Sequence, residues 1–255
     1  MRIIDFHSHL QTHWFRQPLL DEKAFLAGMD KCGVEVSCIF TMMGFYGDCP
    51  KENDLLAGYA RRHPKRLVPF VTVDPKIGPP AVEELERCLA DPIFRGVKFH
   101  NWLQAFAPSM ARETMTALLQ CAARHRAPVL FHDGTPPYAT TFQIAQMARW
   151  VPEATIVLGH GGLADYVYPA GQYLREMPNL HVCYCGPRAG DLIYLVEMAG
   201  SDRVLFGSDF GFSSWKVLAE RIDDVTEAKL DASTEAKVFA SNAARLLHLD
   251  ERPLS

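Results

Sequence analysis

Positive charge is in short supply along this chain. Its 26 Lys and Arg stand against 30 Asp and Glu, a net charge of −4, which leaves no field to draw in phosphate backbones or anionic lipid. Nucleic acid and membrane surfaces are therefore not expected as partners. No apolar run approaches the roughly 18 to 20 residues that a membrane-spanning helix needs. The opening MRIIDFHSHL is broken by Asp5 and His7, too early to read as a signal peptide. The seven cysteines are an odd and scattered set, which fits free thiols in a reducing compartment better than a disulfide framework; a cytoplasmic location is the expectation. No Gly-, Ser- or Pro-rich linker divides the chain, so residues 1–255 are read as one domain. None of the first three candidate strands is followed by a G-x-G-x-x-G turn, which argues against an open dinucleotide-binding sheet.

What is present points to a large core. Apolar residues make up 48% and charged residues 22%, which excludes disorder as a description of the whole. Short β-branched or aromatic runs recur at 3–6, 34–40, 67–73, 96–99, 128–131, 155–158, 180–184 and 203–206, with starts 23 to 33 residues apart. That interval is about one strand, crossover helix and turn. Between the runs lie helical patterns. DEKAFLAGMDKCG puts Phe25, Leu26 and Met29 on one face and stops at Gly33; NDLLAGYARRHP offers Asn53 as an N-cap; SMARETMTALLQCAARHRAP predicts a stripe of Met110, Thr114, Ala117, Leu118 and Cys121. Strands alternating with helices imply a parallel sheet, and eight units of one size can close on themselves. The expected fold is a single (β/α)8 barrel of TIM-like type.

In such a barrel the carboxyl ends of the strands share one rim, so the residues ending each run decide the chemistry. The first run is followed by His7-Ser8-His9, the fifth by His132-Asp133-Gly134, the sixth by Gly159-His160-Gly161-Gly162, and the eighth by Gly207-Ser208-Asp209. Residues i and i+2 of a strand project together, so His7 and His9 can grip one cation. His132 and Asp209 complete a set of three nitrogens and one oxygen, preferred by zinc and accepted by manganese or iron. A cation held in this way lowers the pKa of its water to about 7 and yields a nucleophile at neutral pH. Taken singly, a strand histidine such as His132 or His160 is more often a hydrogen-bonded core residue; four strand ends with ligand types at one depth are a different matter.

With IIDFHSHL, GVKFH, PVLFHDG, IVLGHGG, VLFGSDFG and ASNAARLL in view, the chain resembles the amidohydrolase superfamily. More narrowly it is similar to the amidohydrolase 2 family, which includes aminocarboxymuconate-semialdehyde decarboxylase and related aromatic acid decarboxylases. The resemblance runs through nearly the whole chain and implies a distorted eight-stranded barrel of the metallo-dependent hydrolase type. It also implies one divalent metal on His7, His9, His132 and Asp209, with His160 acting beside the metal rather than as a permanent ligand. Asp209 would then serve as a proton shuttle as well. Some members of the superfamily carry a carboxylated lysine on the fourth strand, and Lys98 is the counterpart here. The plainer reading of Lys98 is an ammonium for an anionic substrate group.

Substrate-facing candidates are softer. His100 shares the alternation face of Lys98, or is a turn histidine. Arg188 in YCGPRAG could clamp a carboxylate, or be a surface arginine. Trp102, Tyr138 and Phe212 lie on loops that open to the same rim and suggest a wall for a planar or small acidic substrate, although helix packing is the commoner use of such residues. Cys183 and Cys185 are read as structural, and His13 has no spacing that identifies it. Hydrolysis of an amide, ester or lactone of a small, carboxylate-bearing substrate is the leading expectation. The alternative is a metal-dependent, non-oxidative decarboxylation of a small aromatic or muconate-type acid, and the second alternative a non-catalytic metal-binding barrel. Barrel enzymes often associate through outer helices, so a homo-oligomer is in view.

Overall fold

The structure, a computed structural model, describes residues 1–11, 13–251 and 254. Eight parallel strands follow one another in chain order, each paired with the next: β1 (Ile4–His9), β2 (Val36–Phe40), β3 (Leu67–Val71), β4 (Gly96–Phe99), β5 (Val129–Phe131), β6 (Ile156–Leu158), β7 (Leu180–Tyr184) and β8 (Val204–Phe206). The chain leaving β8 returns to β1: His9 N donates to Phe210 O over 2.7 Å and Asp209 N to His7 O over 2.8 Å. The barrel closes there, as the eight regular intervals predict. A two-stranded ribbon, His13–Trp14 against Gln17–Pro18, sits just after β1 and was not legible in the loop it interrupts.

Burial on both faces explains the unbroken apolar runs. One row, with Ile4, Phe6, Cys38, Phe40, Phe70, Leu130, Val157, Cys183 and Leu205, forms an inner cluster that also takes Ala240, Ala243 and Leu247 from the C-terminal helical segment. The other row, with Val97, Phe99, Val129, Phe131, Ile156, Leu158, Val182 and Phe206, packs outward with helix residues such as Phe25, Leu85, Leu118 and Leu174. Asn242 of ASNAARLL donates through Nδ2 to Ser201 O (2.7 Å) and Val204 O (2.8 Å), which fastens that segment under β8.

The helices of ten residues or more are α1 (Glu22–Cys32), α2 (Cys49–Arg62), α3 (Pro79–Leu89), α4 (Arg112–Arg124), α5 (Thr141–Trp150), α6 (Val167–Glu176), α7 (Ala189–Ala199) and α8 (Lys216–Glu227). Helix α1 runs from an Asp21 cap to Gly33, whose φ of 70° is the left-handed stop that glycine makes easy. Two sequence expectations need correction. Asn53 is not a cap, because α2 begins at Cys49 and Asn53 is buried inside it; its amide instead exchanges hydrogen bonds with the backbone of Thr72. Met110 is 89% exposed and precedes α4. The buried stripe of α4 is Met115, Leu118, Leu119, Cys121 and Ala122, since the helix starts two residues beyond Met110.

His181 on β7 gives the fold a pH dependence of its own. Burial, aided by the charges of Arg203 and Arg245, pushes its pKa down to about 4, whereas an unfolded histidine titrates near 6.5. Between those values the unfolded chain holds the proton and the folded chain does not, so stability falls as the pH drops through this window. His181→Gln should make the loss of unfolding free energy from pH 7 to pH 5 smaller by about 2 kcal/mol, read from urea denaturation at both pH values. Equal losses in the two proteins would refute the assignment.

Candidate metal centre

The rim site is assembled by β1 and by the segments that follow β5, β6 and β8. Register between β1 and β2 shifts between Asp5 and Ser8, an irregularity of the kind that re-aims side chains. Past it, both histidines of β1 reach one carboxylate: His7 Nε2 lies 3.5 Å from Asp209 Oδ1, and His9 Nε2 lies 3.1 Å from the same oxygen. Asp209 itself has a φ of 58°, a left-handed conformation that costs energy in most non-glycine residues and gathers at functional sites. Gly211 permits this turn. A Cβ there would fall 1.9 Å from His9 O.

Backbone carbonyls orient two of the imidazoles. His7 Nδ1 donates to Gly159 O (2.9 Å) and His160 Nδ1 donates to Cys185 O (2.8 Å), so Nε2 of each ring carries the lone pair. Gly159 has to be glycine for this approach, because a Cβ would meet Phe131 O at 2.4 Å. The ring centroids of His7 and His160 are 4.6 Å apart, and those of His132 and His160 are 4.5 Å apart. Phe40 lies under both β1 histidines, at 5.1 Å from His7 and 4.7 Å from His9.

Electrostatics keep the imidazoles neutral and Asp209 charged. Burial, with the charges of Lys98, His160 and His9, holds His7 well below its ordinary range. Burial pushes His160 down to about 4, against the pull of Asp209. Burial alone would raise Asp209, but the hydrogen bond from His9 and the charges of His9, His160 and Lys98 hold it well below the usual carboxylate range. Lys98 is fully buried, 4.6 Å over the Phe40 ring, and its Nζ donates to His7 Nε2 over 3.1 Å. Burial brings its pKa down to about 8.

These residues fit a divalent cation. The ligand atoms of His7, His9 and Asp209 lie within 4.8 Å of one another, and His9 Nδ1 is buried with no hydrogen-bond partner. Neutral imidazoles beside an ionised carboxylate are the donor set of zinc or manganese. His132 is near but differently engaged. Its Nε2 pairs with Thr135 Oγ1 at 2.8 Å and its ring stacks on His100 at 3.8 Å, so it is absent from the close group. A second close group joins His7 and His160 to the thiol of Cys185, a buried residue that spacing alone placed in the core.

The substrate candidates divide. His100 is buried, with Phe45 at 5.3 Å and Trp102 at 6.3 Å from its ring. Phe212 covers His9 at 4.7 Å, with Trp14 beyond it at 6.0 Å. Tyr138 is exposed, and its carbonyl accepts from Asn101 Nδ2. Arg188 is exposed at the start of α7, its backbone N–H held by the Asp191 carboxylate. His13 is exposed on the ribbon.

Two supporting carboxylates escaped the sequence reading. Asp5 accepts from His7 N (3.1 Å), Ser208 N (3.1 Å) and Ser208 Oγ (2.5 Å), tying the two segments that carry the ligands. Asp133 accepts from His160 N and Gly162 N, both at 2.6 Å. The available signal was an ionisable group inside an apolar run, which must be paired to be tolerated.

The family model for amidohydrolases matches residues 4–249. Among solved structures, the fold is similar to 2,6-dihydroxybenzoate decarboxylase from Rhizobium (TM-score 0.71, 19% identity, 98% of each chain covered). It is also similar to 5-carboxyvanillate decarboxylase from Novosphingobium aromaticivorans, complexed with manganese and 4-hydroxy-3-methoxy-5-nitrobenzoic acid (TM-score 0.72, 17% identity, 88% of this chain and 79% of that one). A third likeness is to 4-oxalomesaconate hydratase from Rhodopseudomonas palustris (TM-score 0.72, 16% identity, 98% of this chain and 97% of that one). No curated protein matches by sequence. Among the described residues no helix is long and apolar enough to cross a membrane. Matched over nearly its whole length, the chain belongs to the amidohydrolase family and is one of its enzymes.

Proposed function

We propose that the chain is a metal-dependent decarboxylase of a small, planar aromatic carboxylic acid. The observation that carries this reading is the make-up of the site: an ionised Asp209 and neutral His7, His9 and His160, with the rings of Phe212 and Trp14 over His9 and those of Phe45 and Trp102 around His100, which stacks on His132. A flat ring suits such surroundings better than an extended chain does. Decarboxylation of aromatic acids is also what the names of two similar structures state for those proteins.

His7, His9 and Asp209 would hold the cation, with His132 joining if its Nε2 leaves Thr135. Zinc or manganese suits these donors. When bound, a divalent ion supplies positive charge that polarises substrate oxygens. The chain's own groups do the rest. The ammonium of Lys98, in reach of His7 Nε2, attracts the substrate's carboxylate side. His160 presents Nε2 to the same space, and an anionic carboxyl group beside it raises its affinity for a proton. In the reaction the bond between ring carbon and carboxyl carbon breaks, its electrons stay with the ring carbon, and carbon dioxide leaves. The ring carbon takes one proton from His160, which is reprotonated from solvent.

A second reading is favoured by one observation. With Nδ1 committed to Cys185 O, the free enzyme's His160 carries a lone pair at Nε2, which suits a base that draws a proton from water in hydrolysis of a lactone, ester or amide. Turnover of hydroxybenzoate-type acids in heavy water by the metal-loaded protein separates the two. Decarboxylation is expected to release carbon dioxide and place one deuterium on the vacated ring carbon. Lactone or amide cleavage, with no carbon dioxide from any acid tested, would replace it with hydrolysis.

A further inference from the structure

Far from the rim, on the outside of the barrel, α3 and α4 pack side by side. Cys121 and His125 are four residues apart at the end of α4, so they share one face, and Glu86 of α3 faces them. His125 Nε2 lies 2.7 Å from Glu86 Oε1, and Cys121 Sγ lies 3.2 Å from Glu86 Oε2. All three ligand atoms fall within 4.8 Å of one another.

We propose that Glu86, Cys121 and His125 form a peripheral binding site for a zinc-class divalent cation, which clips α3 to α4. One sulfur, one nitrogen and one oxygen are zinc's own donor types, and three protein ligands leave a fourth position for water. The simpler account is an ion pair between helices. That account uses His125 at 2.7 Å and Arg124 at 3.2 Å from Glu86 and does not call for a thiol beside them. On binding, the Cys121 S–H bond breaks, the proton goes to solvent, and a sulfur–metal bond forms. The approach is open from outside, since the side chains of Glu86 and His125 are 48% and 24% exposed. Arg124, 62% exposed, is free to swing into solvent as the ion enters.

Cobalt(II) titration of the purified full chain tests this without reference to turnover. A thiolate-to-cobalt charge-transfer band should appear in the near ultraviolet. It should vanish in Cys121→Ser, and His125→Ala should weaken this binding by more than the about 10- to 100-fold that loss of an outer-shell partner costs. Because Cys121 is buried, Glu86→Gln and His125→Ala, altered at half-open positions, serve as variants whose folding is not in question; each should bind one equivalent of cobalt fewer than the unaltered protein. No band in the unaltered protein, a band that survives Cys121→Ser and so arises at another cysteine, or equal stoichiometry in all four proteins would overturn the site.

Discussion

Asp209→Asn is expected to strip the protein of its divalent metal and its turnover together, whereas His160→Ala should keep the metal and lose turnover by a factor of about 10² or more. The contrast follows from geometry. Asp209 Oδ1 is approached by both β1 histidines, at 3.5 and 3.1 Å, and its negative charge is what a cation between neutral imidazoles needs. Asparagine preserves its shape and tolerates the left-handed backbone found at this position, so the loss can be assigned to charge rather than to refolding of the turn. His160 differs in kind. Its Nδ1 is spent on Cys185 O, and Nε2 faces the site as a group that moves a proton. Metal content by elemental analysis beside kcat/KM for each variant checks the pair. Metal retained at full occupancy in Asp209→Asn, or full activity in His160→Ala, would remove those residues from their roles.

Much of this site could be read from the chain because barrel topology converts position along a strand into position in space. His7, His9, His160 and Asp209 each lie within three residues of the end of an apolar run, and a parallel barrel brings such points to one rim. What could not be read is what a side chain does once there. His132 occupies an equivalent place, yet its Nε2 is turned to Thr135, three residues on; only the conformation of that loop decides between the hydroxyl and a cation. Local phase failed for a related reason. Met110 fits a helical stripe with Leu118 on paper, but α4 begins at Arg112, and a residue before the first turn has no face. Asp5 and Asp133 were visible only as charges in apolar surroundings, because their partners, Ser208 and the turn at His160 and Gly162, are brought in by closure of the barrel.

Asp133→Ala should lower both stability and turnover, and the two effects have a common origin. The carboxylate is completely buried, and its two oxygens take up the N–H groups of His160 and Gly162 at 2.6 Å each. Alanine leaves both donors buried without an acceptor, at about 1 to 3 kcal/mol each, so a loss of about 4 kcal/mol in unfolding free energy is expected. The turn that these bonds define also aims the imidazole: Gly161 and Gly162 are both at positive φ, and a Cβ on Gly162 would strike the backbone of Tyr166 at 2.4 Å. With the turn released, His160 loses its orientation rather than its chemistry. Asp133 is thus a positioning residue, and a double-mutant cycle separates this role from a purely structural one. Below the unfolding range, Asp133→Ala should lower kcat with little change in KM, and adding it to His160→Ala should lower kcat no further. Losses that simply multiplied would mean that Asp133 supports the fold alone, with no hold on the proton-transferring ring.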